Sequence, residues 1–167
     1  MIKWLLAFFC LCMVKSGFSQ NTAVSCNVQT TYTVDGRLTK FVGSQTIDST
    51  KDMVTSLGAE LTGSYYYITI RVVYKTAVKT VVGDLVIQFS DNTSMNLPLT
   101  NCNSMGAGIF ESTTCSYIVL DKFIRPLTIK SIDKIIFRMI DNTFKAIDLK
   151  TKSTLLKDAL TCLQRLL

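Results

Sequence analysis

Apolar and polar residues alternate most regularly between positions 66 and 74. An apolar or aromatic side chain recurs there at every second position, at Tyr66, Ile68, Ile70, Val72 and Tyr74. Because successive side chains of a strand point to opposite faces of a sheet, this pattern predicts a strand with one buried face. Its β-branched and aromatic residues suit a pleated surface, so we expect a central strand.

A second alternating run extends from Cys26 to Val34 and ends at Asp35-Gly36. It predicts a half-buried strand that has on one face Cys26, Val28, Thr30, Tyr32 and Val34. The Asp-Gly dipeptide readily adopts the positive φ angles of a type I′ turn. Residues 37–42 are therefore expected to return as the hairpin partner.

An internal repeat links residues 85–97 to residues 135–147. Each copy consists of an apolar strand, an Asp-Asn-Thr turn and a returning strand, and the offset is fifty residues. Asp and Asn tolerate the left-handed conformations that a two-residue hairpin needs, so the repeat predicts two hairpins with the same turn chemistry. Two copies are too few for a solenoid, which needs about three stacked units.

Residues 44–63 leave two alternatives open. Ser49 could cap a short helix over residues 53–57, whereas Gly58 and Gly63 divide the segment into short pieces.

Proline positions help to assign the neighbouring segments. Residues 110–120 alternate well enough to predict another strand, and Pro98 marks residues 93–99 as an edge strand because proline cannot donate to a ladder. Residues 121–125 predict a helical turn that stops before Pro126.

The clearest helical pattern is at the end of the chain, over residues 153–167. Ser153 is a suitable N-cap, and apolar residues follow at intervals of three or four, at Leu156, Ala159, Leu160, Leu163 and Leu167. We expect this stripe to pack across one face or one open end of the sheet. The alternative is an amphipathic helix that docks on a membrane or a partner, but such helices are usually richer in Lys and Arg.

Together these patterns predict a mainly β fold. The expected architecture is an antiparallel β-sandwich or flattened barrel of about eight strands with one C-terminal α-helix. Residues 20–167 are expected to form a single domain, because that length suits one hydrophobic core and no low-complexity linker divides it.

Residues 1–19 have the features of a cleaved secretory signal peptide. Lys3 precedes an apolar run from Trp4 to Val14, and small residues stand at Gly17 and Ser19. The run is shorter than the roughly 20 residues that a membrane-spanning helix needs. We therefore expect a secreted or periplasmic protein that starts near residue 20 and has no stable membrane insertion after cleavage.

Four cysteines follow the predicted signal peptide: Cys26, Cys102, Cys115 and Cys162. An even number in an exported chain predicts disulfides, and four cysteines allow three pairings. We favour Cys102–Cys115, which brackets a turn-rich segment, together with Cys26–Cys162, which would tie the first strand to the last helix. A zinc site is not expected, because close C-x-x-C pairs and histidines are both missing.

Charge and composition exclude several classes of function. Without Lys3 and Lys15, sixteen basic and twelve acidic residues remain, a net charge of +4, and the lysines are scattered. No nucleic-acid partner is therefore expected. The absence of histidine excludes Ser-His-Asp and Cys-His catalysis and histidine metal ligands.

The remaining acidic residues show no catalytic pattern. Glu60 and Glu111 are the only glutamates, and Asp91 and Asp141 lie in predicted turns, where a structural role is favoured. Calcium-binding and phosphate-binding loops are missing as well. We expect neither an enzyme nor a cofactor.

Two tyrosines and one asparagine remain as candidate surface residues. With Tyr66 in the core, Tyr65 and Tyr67 would face outwards and could form a binding surface. Asn92-Thr93-Ser94 is an N-glycosylation sequence at a predicted turn tip, which matters only in a eukaryotic host.

The function expected from these patterns is a non-enzymatic binding or interaction module for an unknown protein or glycan partner. One alternative is a β-barrel carrier, for which an internal apolar cavity of about 300 Å³ or more is expected. The other is a histidine-free hydrolase, for which two convergent carboxylates with raised pKa values are expected.

Overall fold

The computed structural model describes residues 26–33, 35–75, 80–107 and 110–166. The predicted signal peptide lies outside these residues. The elements are β1 (Val28–Tyr32), β2 (Leu38–Ser49), β3 (Met53–Thr62), β4 (Tyr65–Tyr74), β5 (Val81–Phe89), β6 (Ser94–Leu97), β7 (Leu99–Ala107), β8 (Phe110–Val119), α1 (Asp121–Ile129), β9 (Ile132–Met139), β10 (Phe144–Asp148) and α2 (Leu155–Gln164). A 3₁₀ turn over Lys150–Lys152 precedes α2.

The strands form two antiparallel sheets, which confirms the predicted β-sandwich. The larger sheet has the order β1-β2-β3-β4-β8-β7 and the smaller sheet has the order β10-β9-β5-β6. The smaller sheet contacts β7 and β8, whereas α2 contacts β2 and β3 and packs against α1. The ten described strands exceed the eight expected, and the two helices complete the layer that the smaller sheet leaves open.

The alternating stripe of β4 lies at the centre of the core. All five of its predicted residues are buried, and Ile68, Ile70 and Val72 are fully inaccessible to solvent. They belong to one continuous apolar cluster that includes side chains from both sheets and both helices. The prediction of a central strand is confirmed, because β4 lies between β3 and β8.

The internal repeat accounts for the whole smaller sheet. Its two copies form the hairpins β5–β6 and β9–β10, and β5 pairs with β9. Val86 lies opposite Ile136, its equivalent fifty residues later. Two hairpins paired in this way are related by an approximate two-fold axis.

The sheet edge predicted from Pro98 is also confirmed, because β6 is an outer strand of the smaller sheet.

Three hairpin turns share a geometry that differs from the predicted two-residue turns. Each has a residue with positive φ, namely 80° at Gly36, 63° at Asn92 and 64° at Asn142, and the aspartate immediately before it does not have positive φ. The backbone N–H of that residue donates to the carbonyl oxygen three positions earlier, at 2.9 to 3.0 Å. In the two Asp-Asn-Thr hairpins this is a type I turn followed by a left-handed residue. A type I′ turn at Asp35-Gly36 would need positive φ at both residues, so that prediction was wrong in turn type, although the hairpin itself is present.

The structure decides one open alternative and corrects one expectation in the first strands. Residues 53–57 lie in β3 and not in a helix, since pairing with β2 and β4 on either side satisfies their backbone. Strand β1 is present but is not half-buried: Tyr32 is 71% exposed. It is an edge strand of the larger sheet, so little packs against its side chains.

Helix α1 continues through Pro126 instead of stopping before it. Proline removes one backbone donor from the helix, which normally ends or kinks it. Here Leu127, immediately after the proline, is fully buried, and the helix packs on α2. Burial of Leu127 therefore outweighs the tendency of Pro126 to end the helix.

Helix α2 starts at Leu155, two residues later than the predicted helix, and Ser153 does not cap it. Four of the five predicted stripe residues, Leu156, Ala159, Leu160 and Leu163, are buried, and the fifth, Leu167, lies outside the described residues. The stripe therefore faces the sheet, which is the arrangement favoured over a docking helix.

The disulfides are Cys26–Cys162 and Cys102–Cys115, which is the pairing favoured from the sequence. The first joins the segment before β1 to α2, across 136 positions of the chain. The second joins directly opposed residues of β7 and β8. One bridge therefore fastens the helical layer and the other fastens a sheet edge.

Candidate functional site

Tyr65 and Tyr67 lie on the outer face of the larger sheet, where the alternation of β4 predicted them. The intervening Tyr66 is buried, whereas Tyr65 is 57% exposed and Tyr67 is half-buried. The helices and the smaller sheet share a core with the inner face of this sheet. Within the described chain, the outer face around these tyrosines is therefore left to solvent.

A row of side chains crosses this outer face from β2 to β8. Strand register places Phe41 opposite Glu60, Glu60 opposite Tyr67, and Tyr67 opposite Ile118. Directly opposed residues have Cβ atoms about 5 Å apart, so neighbouring members of this row are in contact range. We call Phe41, Glu60, Tyr67 and Ile118 the outer row; all four are half-buried.

Glu60 is the one charged member of the outer row. Burial raises the pKa of its carboxyl above the ordinary value, and a hydrogen bond from the Ser116 side chain opposes that shift. Gly58 and Thr69 occupy the adjacent positions on β3 and β4. Because Gly58 has no side chain, the Glu60 side chain can lie along the sheet surface towards Ser116 on β8.

Glu60 has no basic partner among the described residues. Arg37, just before β2, is a basic residue whose pKa is raised by its pairing with Asp35 and, to a smaller extent, by Tyr67. Its Nε donates to Asp35 at 2.6 Å, and the two side chains form an ion pair at the β1–β2 turn. Hydrogen bonds from the side chains of Thr33 and Arg37 hold the pKa of Asp35 at about 2. The charge of Arg37 is thus already balanced.

The turn carboxylates have structural roles. Asp91 accepts hydrogen bonds from the backbone N–H of Thr93 at 3.0 Å and from Lys130 Nζ at 2.8 Å. The side chains of Lys130 and Thr93 hold the pKa of Asp91 at about 2. Asp141 accepts equivalently from Thr143 in the second repeat. Asn92, in the glycosylation sequence, is exposed at the tip of the first of these turns.

The two glutamates are far apart. Glu60 lies opposite Tyr67 and Glu111 lies opposite Tyr74, seven positions further along β4. At about 3.3 Å per residue the separation along the strand is about 23 Å. Glycosidase-type catalysis needs two carboxyl groups about 5 to 9.5 Å apart. The glutamates therefore cannot act together on one bond.

Two cavities open on other parts of the surface. One of about 260 Å³ lies between the start of α2 and an irregularity in β2, and its lining includes Gly43, Lys152 and Asp158. The other, of about 380 Å³, is lined by Gly83, Asp84, Arg138 and Phe144. Charged residues line both, unlike the apolar interior that a carrier of an apolar ligand needs.

Two buried tyrosines are polar groups inside the core. The hydroxyls of Tyr74 and Tyr117 are buried and have no hydrogen-bond partner in the described structure. Burial raises the pKa of Tyr74 to about 12, and burial likewise raises the pKa of Tyr117. Both hydroxyls remain neutral at physiological pH, and neither reaches the outer row, because both side chains are buried on the core side.

Sequence reasoning identified Tyr65 and Tyr67 but not the significance of Glu60 and Phe41. These residues come from three different strands, and only the register brings them together. A signal was present in the pattern: Glu60 is a charged residue between Ala59 and Leu61, both of which are buried. A carboxylate at such a position must either face solvent or have a partner.

No family model, curated protein or solved structure matches the chain. No helix in the described parts of the chain is long and apolar enough to cross a membrane. Within those same residues, no group of three or more potential ligand side chains could hold a metal ion.

Proposed function

We propose that this protein is a secreted or periplasmic, non-enzymatic binding module that uses the outer face of its larger sheet. The observation that carries the proposal is the aromatic surface formed by Tyr65 and the outer row, on the face opposite the core. Aromatic side chains are enriched at binding surfaces because they combine a large apolar area with few rotatable bonds. The two disulfides support an oxidising compartment.

The exposure of Tyr65, beside the outer row, favours a binding role over a purely structural one. A tyrosine that mainly stabilises the fold is expected to bury most of its ring, as Tyr66 does. Tyr65 instead leaves more than half of its surface open, at 57%. A partner that covers it would gain the apolar contact that the folded chain leaves unmade.

The carrier alternative is less well supported. The space between the sheets is filled by large buried side chains, among them Tyr117, Phe137 and Leu57. The hydrolase alternative is weakened by the separation of Glu60 from Glu111. A binding role needs neither a cavity nor paired acids, and the outer face offers a continuous surface.

The test is a capture experiment with the chain from residue 20 to residue 167. Bead-bound protein is exposed to secreted material from the host and, in parallel, probed on a glycan array. The double variant Tyr65→Ala/Tyr67→Ala is expected to lose the captured ligand, because truncating a central aromatic anchor typically costs about 2 kcal/mol or more.

The matched control is Tyr32→Ala, which removes an even more exposed tyrosine from β1 at the sheet edge. It is expected to retain the ligand. Thermal melts should show that both variants fold. Retention of every ligand by the folded double variant would exclude the outer face as the binding surface.

A further inference from the structure

Glu60 is a half-buried carboxylate placed between two aromatic residues. Phe41 precedes it in the outer row and Tyr67 follows it. Its hydrogen bond with Ser116 engages only part of its acceptor capacity, because an ionised carboxylate has two oxygens with about four acceptor sites. No lysine or arginine among the described residues forms an ion pair with it.

An unpaired carboxylate in partly apolar surroundings is destabilised by the loss of hydration. The charge is compensated most directly by a cation. Aromatic faces also attract cations, through the negative electrostatic potential above the ring, and quaternary ammonium groups are recognised in this way. A carboxylate flanked by Phe and Tyr thus combines both kinds of attraction for the same ligand.

We propose that the outer row binds an organic ammonium group, with Glu60 pairing with its charge and Phe41 and Tyr67 contacting its alkyl substituents. This inference rests on the proposed function and specifies the chemistry of the ligand. A metal cation fits less well, because only one carboxylate is present and its neighbours are apolar. An anionic or purely neutral ligand would leave the carboxylate unpaired.

The charged and titratable groups around Glu60 are compatible with a bound cation. From β2, the facing residues are Phe41 and Thr39, which are uncharged, and β8 contributes Ser116. Strand β4 contributes the phenols of Tyr65 and Tyr67. Its Arg71 lies on the same face but four positions beyond Tyr67, about 13 Å along the strand, which exceeds the Debye length of about 8 Å at physiological ionic strength. Arg37 is balanced by Asp35, as described above.

The experiment uses choline chloride and its neutral isostere 3,3-dimethylbutan-1-ol, which has the same shape but no charge. Backbone NMR shifts of the chain from residue 20 to residue 167 are followed as each compound is added at constant ionic strength. We expect choline to shift amides of β2, β3 and β4 near the outer row, with an affinity on the order of tenfold above that of the isostere. Equal affinities would overturn the proposal.

The variant Glu60→Gln keeps the shape of the side chain and removes its charge. It is expected to reduce choline affinity on the order of tenfold, while the matched control Glu111→Gln leaves it unchanged. Because Gln also preserves packing, the melting temperature of the variant should not fall. Unchanged choline affinity in Glu60→Gln would overturn the assignment.

The pH dependence provides a second readout. Only ionised Glu60 pairs with the cation, so affinity should decrease as pH falls through the raised pKa of this carboxyl.

A comparison of choline with butylammonium, a primary ammonium ion, distinguishes two sources of the cation. Tighter binding of butylammonium would indicate a lysine-like ligand, and tighter binding of choline would indicate a quaternary one. If Tyr65→Ala/Tyr67→Ala loses its natural ligand but choline does not bind, the binding face stands and the cationic chemistry is wrong.

Discussion

The two halves of the inner face of the larger sheet are covered in different ways. Over β7 and β8 the cover is the smaller sheet, whose own strands are held together by backbone hydrogen bonds. Over β2 and β3 the cover is α2, supported by α1. Most backbone hydrogen bonds of a helix are internal, so α2 is attached to the sheet mainly by side-chain packing and by the Cys26–Cys162 bridge.

The difference shows where each half obtains its stability. The sheet-covered half combines the core with the duplicated hairpins and the local Cys102–Cys115 bridge, which spans 13 positions. The helix-covered half depends on the apolar stripe of α2 and on Cys26–Cys162, which spans 136 positions. The second half should therefore be the more sensitive to loss of its bridge.

Removing the disulfides one at a time gives the largest expected effect. By the loop-entropy relation, a bridge that closes a loop as long as Cys26–Cys162 contributes about 5 kcal/mol, and one as short as Cys102–Cys115 about 3 kcal/mol. Replacing both cysteines of a pair by Ala should thus destabilise the protein more for the long bridge. Urea unfolding without reductant measures both, and the reverse order would mean that the sheet-covered half depends more on its bridge.

Truncating a core leucine in each half gives the next largest effect. Leu160 of α2 and Leu85 of β5 are both fully buried. Leu160→Ala and Leu85→Ala should each lower the free energy of unfolding by about 2–5 kcal/mol through lost burial and a residual cavity. Lys157→Ala on α2 is the control and should change it by about 0.5 kcal/mol or less. An unchanged unfolding midpoint for Leu160→Ala would show that α2 is a docking helix and not part of the core.

The smallest expected effect concerns a contact that joins the two halves. Lys130, at the end of α1, pairs with Asp91 in the β5–β6 turn of the smaller sheet. Lys130→Ala should raise the pKa of Asp91 from about 2 towards its ordinary value of 3.8. NMR titration of the carboxyl carbon measures this shift.

The sign of the accompanying stability change follows from linkage. A carboxyl with a lowered pKa stabilises the fold above its unfolded pKa, and that contribution is lost as pH falls through the folded value. The stability difference between wild type and Lys130→Ala should therefore be present at neutral pH and disappear as pH approaches about 2. A difference that persists at that pH would mean that Lys130 acts through packing and not through its charge.

The sequence predicted the elements whose signals are local. The stripe of β4, the repeated hairpins and the apolar face of α2 all follow from periodicity and turn residues. Three elements differ from the sequence pattern where distant contacts outweigh local preference: β3 is a strand although it contains Gly58, β7 is a strand through the segment interpreted as turn-rich, and α1 continues through Pro126. In all three cases the deciding contacts come from other parts of the chain.

The candidate site also has one part that the sequence predicts and one part that it does not. The outward orientation of Tyr65 and Tyr67 follows from alternation along one strand. The proximity of Phe41 to Glu60 depends on the register of β2 against β3, which contains irregularities that the sequence pattern does not reveal. A surface assembled across strands is therefore visible only after the sheet is built.

The Cys26–Cys162 bridge also determines how the protein responds to mechanical force. It joins two residues 136 positions apart, with Cα atoms 5.5 Å from each other. Tension applied through attachments before residue 26 and after residue 162 would pass directly across this covalent bond. The strands and helices between them would then carry almost none of the load, so the domain would remain folded until the bridge is reduced.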